Sequence, residues 1–116
     1  MNELATKKCE PCEGGVKPMT AKRAKEMLAD LQGWKLSQGG KALKLELSML
    51  DFPAAIEFIH AVAQTAESEG HHPDLHLTNY RNLVVELSTH AIGGLSMNDF
   101  ILAAKIDELP RKVKGK

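Results

Sequence analysis

Four short runs in this 116-residue chain alternate apolar and polar side chains, and they come in two pairs. The pairs are residues 34–37 with 42–48 and residues 74–80 with 83–89. Because side chains along a strand point alternately to opposite faces, each run predicts a strand with one buried and one solvated face. The short connections predict two hairpins, the first turning at Gln38–Gly40 and the second at Arg81 and Asn82. The sequence therefore predicts an antiparallel sheet that needs other elements to cover one of its faces.

Three further stretches have the spacing of amphipathic helices. Residues 21–31 follow Thr20, which is a favourable N-cap residue. A longer helix is predicted to begin at Asp51 and to end at Gly70, because glycine tolerates the left-handed backbone of a helix C-cap. Its predicted apolar stripe comprises Phe52, Ile56, Ile59, Val62, Ala63 and Ala66.

Ser96 and Asp99 have the spacing of a capping box, which predicts the start of a third helix. Its expected core side chains are Phe100, Ile101, Ala104 and Ile106. The order α-β-β-α-β-β-α indicates an α+β two-layer sandwich, with a four-stranded antiparallel sheet and the helices packed on one face. We expect one domain over residues 20–110, preceded by a flexible arm at residues 1–19 and followed by a frayed basic tail at residues 111–116.

The charge balance predicts a small neutral ligand. Lys and Arg together number 15, as do Asp and Glu, so the formal net charge is zero. A chain without net charge has no long-range attraction for nucleic acid or for an anionic membrane. No apolar run reaches the ~18 residues of a membrane helix, and the N-terminus lacks a charged-then-apolar signal pattern. We therefore expect a soluble cytoplasmic protein without membrane or direct nucleic-acid partners.

Cys9 and Cys12 have the spacing found in metal knuckles and in redox dithiols. Two thiolates do not complete a tetrahedral zinc site, and the sequence contains no other cysteine. A redox pair is also expected to open a helix after a strand, which this pair does not. The sequence therefore favours two thiols in a mobile tail.

Three histidines lie in the stretch 67–99, at predicted loops and strand ends. His71 and His72 follow the second helix, and His90 lies at the end of the fourth strand. Histidine suits proton transfer near neutrality because its unperturbed pKa of about 6.5 keeps both protonation states accessible. Pro73 favours an extended backbone at His72, and neighbours in an extended chain point to opposite faces, so the two adjacent rings need not have the same role.

The other two histidines are predicted to be surface or interface residues. His60 lies off the apolar stripe of its helix, and His76 lies on the open face of the sheet. A zinc site built from three histidines is a minor alternative, because adjacent histidines diverge and no His-x-x-x-His spacing is present.

The spacing of seven residues resembles the signature of the pterin-4a-carbinolamine dehydratases. They are Glu67, His71, His72, Pro73, Tyr80, His90 and Asp99. The resemblance extends over roughly residues 20–108 through three further short matches. These are Gly33-Trp34, Ser88-Thr89-His90 and Gly94-Leu95-Ser96. One departure is Gly70, which stands where some members of the family carry Asp.

The resemblance implies the same α+β fold and a dehydration reaction. The substrate would be a 4a-hydroxytetrahydropterin and the product a quinonoid dihydropterin, which a reductase recycles for aromatic amino-acid hydroxylases. Loss of the 4a-hydroxyl as water requires an acid, and loss of the N5 proton requires a base. This chemistry requires neither a metal nor an organic cofactor.

The resemblance also implies the site residues. The catalytic residues would be His71, His72 and His90. The substrate-binding residues would be Glu67, Ser88, Thr89 and Asp99. We assign acid–base contact with the 4a-hydroxyl to His71 and the opposite proton transfer to His90, although these two roles could be exchanged.

Three of the matched residues keep alternative interpretations. Glu67 could accept a histidine N–H or simply solvate a helix end. Asp99 could act only in the capping box, or it could also orient His90 or contact the pterin. Tyr80, at a predicted strand end, is expected to pack rather than to react.

The family resemblance implies a homodimer or homotetramer, and it leaves another function open. Animal relatives also act as dimerisation cofactors of a transcription factor, so a non-catalytic cofactor or a pterin-binding accessory protein is the alternative. The presence of His71, His72 and His90 favours catalysis.

Overall fold

The structure is a computed structural model that describes residues 3–7, 9 and 17–115. Within these ranges, helices alternate with pairs of strands. The order is α1 (Ala21–Leu28), β1 (Trp34–Ser37), β2 (Ala42–Ser48), α2 (Phe52–Glu69), β3 (Asp74–Thr78), β4 (Asn82–Leu87) and α3 (Met97–Asp107). Short 3-10 turns occur at Glu3–Thr6, Gln38–Gly40 and His90–Ile92. Cys12 lies outside the described residues. In the described part of the chain, no helix combines the length and the apolar character needed to cross a bilayer.

The four strands form one antiparallel sheet in the order β1-β2-β4-β3. One register row crosses all of them: Trp34 pairs with Leu45, Leu45 with Val85, and Val85 with Leu75. Trp34, Leu45 and Val85 are buried, and Leu75 is half-buried against the core. The alternation therefore predicted the α+β fold and the buried face of the sheet correctly.

The helices complete the core on that face of the sheet. Buried side chains of α1, α2 and α3 share one hydrophobic cluster with Leu45 and Val85. Helix α3 contacts both α2 and the N-terminal turn, and its residues 98–104 are all buried. Because α3 is covered on several sides, a polar residue in its first turn is held away from water.

Both predicted ends of α2 are confirmed. The Asp51 carboxylate accepts the Ala54 N–H at 2.9 Å, and Gly70 ends the helix in the left-handed region at φ 65°. The Gly70 N–H donates to the Glu67 carbonyl and the His71 N–H to the Ala66 carbonyl. This closing turn directs the chain out of the helix immediately before the histidine pair.

The predicted apolar stripe of α2 is only partly correct. Phe52 is 50% exposed and Ile56 is 45% exposed, whereas Phe58 is 2% exposed. The buried residues of the helix are Ala54, Ala55, Phe58, Val62 and Ala66. The helix carries apolar residues on more than one face, and the small alanine side chains allow close packing on one of them. Packing therefore selects the alanine-lined face that includes Phe58.

The turn between β3 and β4 differs from the prediction. Asn79 and Tyr80 adopt φ values of 47° and 55°, and β4 already begins at Asn82. Two consecutive left-handed residues match the right-handed twist of a hairpin, and the turn comprises residues 79–81 rather than Arg81 and Asn82. Tyr80 is 52% exposed in this turn, with the Arg81 guanidinium 5.5 Å from its ring centroid, and does not pack at a strand end.

Helix α1 ends at Leu28, three residues before the predicted Leu31. The chain leaves the helix to contact Asp107 at the end of α3, where the Gln32 N–H donates to Oδ2 at 3.0 Å. The Trp34 indole N–H donates to Oδ1 of the same carboxyl at 2.8 Å. The N–H groups of residues 29–31 still donate to the carbonyls three residues before them, so the predicted last turn is tightened and the tertiary contact follows it.

The described parts of both terminal segments pack against the domain, and the rest of the predicted arm lies outside the described residues. Near the N-terminus, Leu4 is buried in the hydrophobic core. Near the C-terminus, the Leu50 N–H donates to the Lys112 carbonyl and the Lys114 N–H donates to the Ser48 carbonyl, both at 2.9 Å. Composition predicts polar, mobile ends, but backbone hydrogen bonds and one buried leucine hold these residues.

The cap of α2 gives a stability prediction. Asp51→Ala removes the acceptor of the Ala54 N–H, and it should lower the free energy of unfolding by about 1 kcal/mol in urea titrations. Asp51→Ser retains a capping oxygen and should stay within about 0.5 kcal/mol of the unmodified protein. Equal losses in the two variants would show that the cap does not contribute.

Candidate active site

A cavity of about 530 Å³ lies where the exit of α2, the end of β4 and the start of α3 meet. Five of the seven predicted site residues line it. They are His71, His72, Ser88, Thr89 and His90. Glu67 and Asp99 are not among its lining residues. The fold therefore brings the three predicted histidines to one cavity.

A buried contact fixes His71. Its Nε2 lies 2.6 Å from Oδ1 of Asp99, and the two side chains are 12% and 0% exposed. The second carboxylate oxygen accepts the Thr89 hydroxyl at 2.8 Å and the Ser96 N–H at 2.9 Å. With a carboxylate as acceptor, Nε2 of His71 carries a proton, and Nδ1 is the ring nitrogen not engaged by this bond.

Asp99 therefore has both of the roles that the sequence left open, but with a different histidine. It accepts the Ser96 N–H as the acidic member of the capping box of α3. It also orients a catalytic candidate, which is His71 rather than His90. Asp99 is completely buried and does not line the cavity, so its direct contact with pterin stays a prediction from sequence.

His72 has a solvated partner. Its Nε2 lies 2.8 Å from Oε1 of Glu67, with 64% and 81% of the two side chains exposed. Glu67 thus accepts a histidine contact, as one interpretation expected, although from His72 and not from His71. Exposed ion pairs contribute little because water screens them. The adjacent rings of His71 and His72 therefore lie in different environments.

His90 enters the cavity from the end of β4. The strand ends at Leu87, two residues before the predicted end, and His90 begins the 3-10 turn that follows. Thr89 holds this turn, since its N–H donates to the Gly94 carbonyl at 2.8 Å and its carbonyl accepts the Ile92 N–H at 3.1 Å. His90 is exposed at the cavity wall.

The remaining histidines lie outside this cavity. His60 is exposed on α2, and His76 is exposed on the open face of the sheet, 3.5 Å from Glu86. Among residues 3–7, 9 and 17–115, no group of three or more His, Cys, Asp or Glu side chains is arranged to hold a metal ion.

The sequence profile of a family described as pterin 4 alpha carbinolamine dehydratase matches residues 17–109. This chain belongs to that family. It is 49% identical over 110 residues to "Pterin-4-alpha-carbinolamine dehydratase 2, mitochondrial" of Arabidopsis thaliana, covering 92% of this chain and 59% of that protein. It is 43% identical over 109 residues to a putative pterin-4-alpha-carbinolamine dehydratase of Nitrosospira multiformis, covering 94% of each chain.

A solved structure agrees with this membership. The crystal structure described as a transcriptional coactivator/pterin dehydratase from Brucella melitensis superimposes with a TM-score of 0.71 at 30% identity. The match covers 78% of this chain and 95% of that one. The chain therefore has the fold of the carbinolamine dehydratase family and is similar to its members in sequence. The name of the family describes hydro-lyases.

Sequence reasoning missed half of the cavity wall. The residues it missed are Cys9, Glu69, Gly70, Ala91 and Asn98. Gly70 and Ala91 adjoin predicted site residues, and Glu69 is the last residue of a predicted helix, so proximity could have identified them. Cys9 gave no such signal, because it is 60 residues from Glu69 and lies before residues 17–109, which the family profile matches.

Cys9 is packed rather than free in a tail. Its N–H donates to Oε1 of Glu69 at 2.8 Å, and its thiol donates to the Asn98 carbonyl at 3.5 Å. Burial, followed by the nearby Glu69 charge, raises the pKa of the Cys9 thiol to about 12. The thiol therefore stays protonated at neutral pH, and a role as a reactive nucleophile is disfavoured.

This shift predicts slow alkylation of Cys9. The test uses a Cys12→Ser background at pH 8, where the rate of iodoacetamide modification should be lower in the folded than in the urea-unfolded protein by a factor of about ten or more. The reason is that a higher pKa lowers the fraction of thiolate. Mass spectrometry of timed samples gives both rates. Equal rates in the two states would contradict the packed position of Cys9.

Proposed function

We propose that this chain is a 4a-hydroxytetrahydropterin dehydratase that uses histidines as general acid and base. Its reaction would convert pterin-4a-carbinolamine to quinonoid dihydropterin and water. The observation that carries the proposal is the contact between the buried Asp99 carboxylate and His71, which lines a cavity together with His72 and His90. Membership of the carbinolamine dehydratase family supports the same substrate.

The reaction moves two protons and requires two groups on different sides of the pterin. The C4a–O bond breaks as the hydroxyl takes up a proton and leaves as water, while N5 loses its proton to a base. His71 is the residue that we assign to donate a proton to the leaving hydroxyl. His90 is the residue that we assign to accept the proton from N5. The two residues reach the cavity from different elements, the exit of α2 and the turn after β4, as a two-sided mechanism requires.

Asp99 is a positioning residue in this scheme. A carboxylate at 2.6 Å fixes the rotation of the His71 ring. The proton that His71 delivers would then leave from Nδ1, the nitrogen that Asp99 does not engage. An oriented donor lowers the barrier because less freedom is lost in the transition state.

Thr89 is assigned the same kind of role instead of a direct contact with substrate. Its N–H donates to Gly94, its carbonyl accepts from Ile92, and its hydroxyl contacts both Asp99 and Ser96. Each polar group of Thr89 therefore has a partner inside the protein. Ser88 remains the proposed contact for the pyrimidine edge of the pterin.

His72 and Glu67 are proposed to act at the cavity mouth. Both side chains are largely exposed, so they can reorganise when substrate enters. His72 would then bind or orient the ring while His71 transfers the proton.

The proposed physiological role is recycling of tetrahydropterin for aromatic amino-acid hydroxylation. In this role, a hydroxylase would supply the carbinolamine, and a reductase would take up the quinonoid product. The cytoplasmic location stays a prediction from sequence, and the name of the Arabidopsis relative specifies mitochondria.

The function is tested by turnover of freshly generated 4a-carbinolamine. Chelator-treated protein should accelerate dehydration as much as untreated protein, because the proposed steps are proton transfers. Binding of pterin without any acceleration would instead favour the non-catalytic accessory function. The description of the Brucella structure names both functions, a coactivator and a dehydratase.

Histidine substitutions test the mechanism. His71→Ala and His90→Ala should each lower turnover by about 10²- to 10⁴-fold, the range for loss of a general acid or base. His60→Ala and His76→Ala are matched controls, because both side chains are exposed outside the cavity, and they should leave turnover within about twofold. Circular dichroism verifies that each variant is folded. Near-native turnover in both cavity variants, with loss in His76→Ala, would move the site to the sheet.

The fold also predicts self-association. Strands β1 and β3 are the edges of the sheet, with backbone groups available for pairing, and Phe52 and Ile56 are exposed apolar side chains on α2. We propose a homodimer or homotetramer, as the family resemblance implied. Sedimentation equilibrium at micromolar concentration should give at least twice the 12.7 kDa of the chain, whereas a single 12.7 kDa species would contradict this proposal.

A further inference from the structure

A short N-terminal segment, defined here as residues 3–7 and 9, is attached to the domain beside the cavity. Its turn at Glu3–Thr6 brings Leu4 into the hydrophobic core, leaving 6% of that residue exposed. Lys105 on α3 donates from Nζ to the Ala5 carbonyl at 2.9 Å. The segment is therefore held by an apolar contact and by a charged donor.

Glu69 ties the other end of the segment to the exit of α2. Its Oε1 accepts the Cys9 N–H at 2.8 Å, and its Oε2 lies 3.7 Å from Nζ of Lys105. The Cys9 N–H, together with the Lys105 charge, outweighs burial and lowers the pKa of Glu69. Glu69 is consequently ionised at neutral pH, which strengthens both contacts.

These contacts place the segment in the wall of the same cavity. Cys9, Glu69 and Asn98 line it together with His71 and His90. The Cys9 thiol donates to the Asn98 carbonyl at 3.5 Å, so it presents a small, uncharged surface. Replacing such a side chain with a large one would reduce the space beside the histidines.

We propose that the N-terminal segment is a wall of the pterin pocket, with Cys9 limiting the space for substrate and Glu69 as the positioning residue that holds Cys9 there. The inference rests on the proposed function for the identity of the ligand. It concerns residues outside the match to the family profile, which begins at residue 17.

A wall residue has a kinetic signature that differs from that of the histidines. A contact made equally by bound substrate and by transition state changes KM and leaves kcat unchanged. Loss of a general acid or base lowers kcat instead. The split between KM and kcat therefore distinguishes the two roles.

The experiment compares Cys9→Trp with Lys22→Trp in the full chain. Lys22 is exposed on α1 and does not line the cavity, so it receives the same ring without obstructing it. For Cys9→Trp we expect the Kd for 7,8-dihydrobiopterin and the KM for the carbinolamine each to rise about tenfold or more. Its kcat should stay within about twofold of the value for the unmodified protein. Lys22→Trp should leave all three values unchanged.

Cys9→Leu serves if the tryptophan variant fails to fold, because its side chain is smaller and apolar. It should raise Kd and KM in the same direction. Glu69→Gln tests the positioning role and should raise KM at unchanged kcat. If folded Cys9→Trp has the Kd and KM of the wild type, the proposal is overturned. Where only Cys9→Leu folds, the same result in that variant overturns it.

Direct binding separates this inference from the proposed function. If wild-type protein binds 7,8-dihydrobiopterin without turning over the carbinolamine, the enzymatic proposal fails, and the Kd of the Cys9 variants still decides whether the segment is a wall. If wild-type protein binds no pterin, both proposals fail together.

Discussion

The buried Asp99 carboxylate is the interaction on which the candidate site depends. It accepts from the His71 ring, the Thr89 hydroxyl and the Ser96 N–H, and these three donors come from the exit of α2, the end of β4 and the start of α3. A buried carboxylate without donors is strongly unfavourable, so each of these elements must meet the other two when the chain folds. The same contact that joins the three elements also fixes a histidine at the cavity.

Local patterns predicted the architecture because they report periodicity and capping. Alternation identified the paired strands, and the residue types at Asp51, Gly70 and Ser96 identified helix ends. The face of α2 that packs could not be predicted in the same way, since Phe52 and Phe58 are both large and apolar. That choice depends on how the helix packs against the rest of the hydrophobic cluster, which is a property of the assembled core.

The site was predictable to the extent that its residues are close in sequence or belong to the recognised pattern. His71, His72 and His90 were predicted as a group, and all three line the cavity. Their partners depend on tertiary structure. Asp99 is 28 residues from His71, and its choice of His71 over His90 follows from the position of α3. Cys9 was missed because its contacts are 60 and 89 residues away and no local signal marks them.

The unequal environments of two adjacent histidines follow from the backbone around them. Gly70 ends α2 in a left-handed turn, and Pro73 restricts the residue before it, so the chain between them cannot continue as a helix. His71 then reaches the buried Asp99, whereas His72 reaches the solvated Glu67. A ring held by a buried carboxylate has one preferred orientation, but a ring paired in water can rotate at little cost. Fixed geometry suits the proton donor proposed for His71, and mobility suits the substrate contact proposed for His72, so the backbone gives two identical side chains different environments.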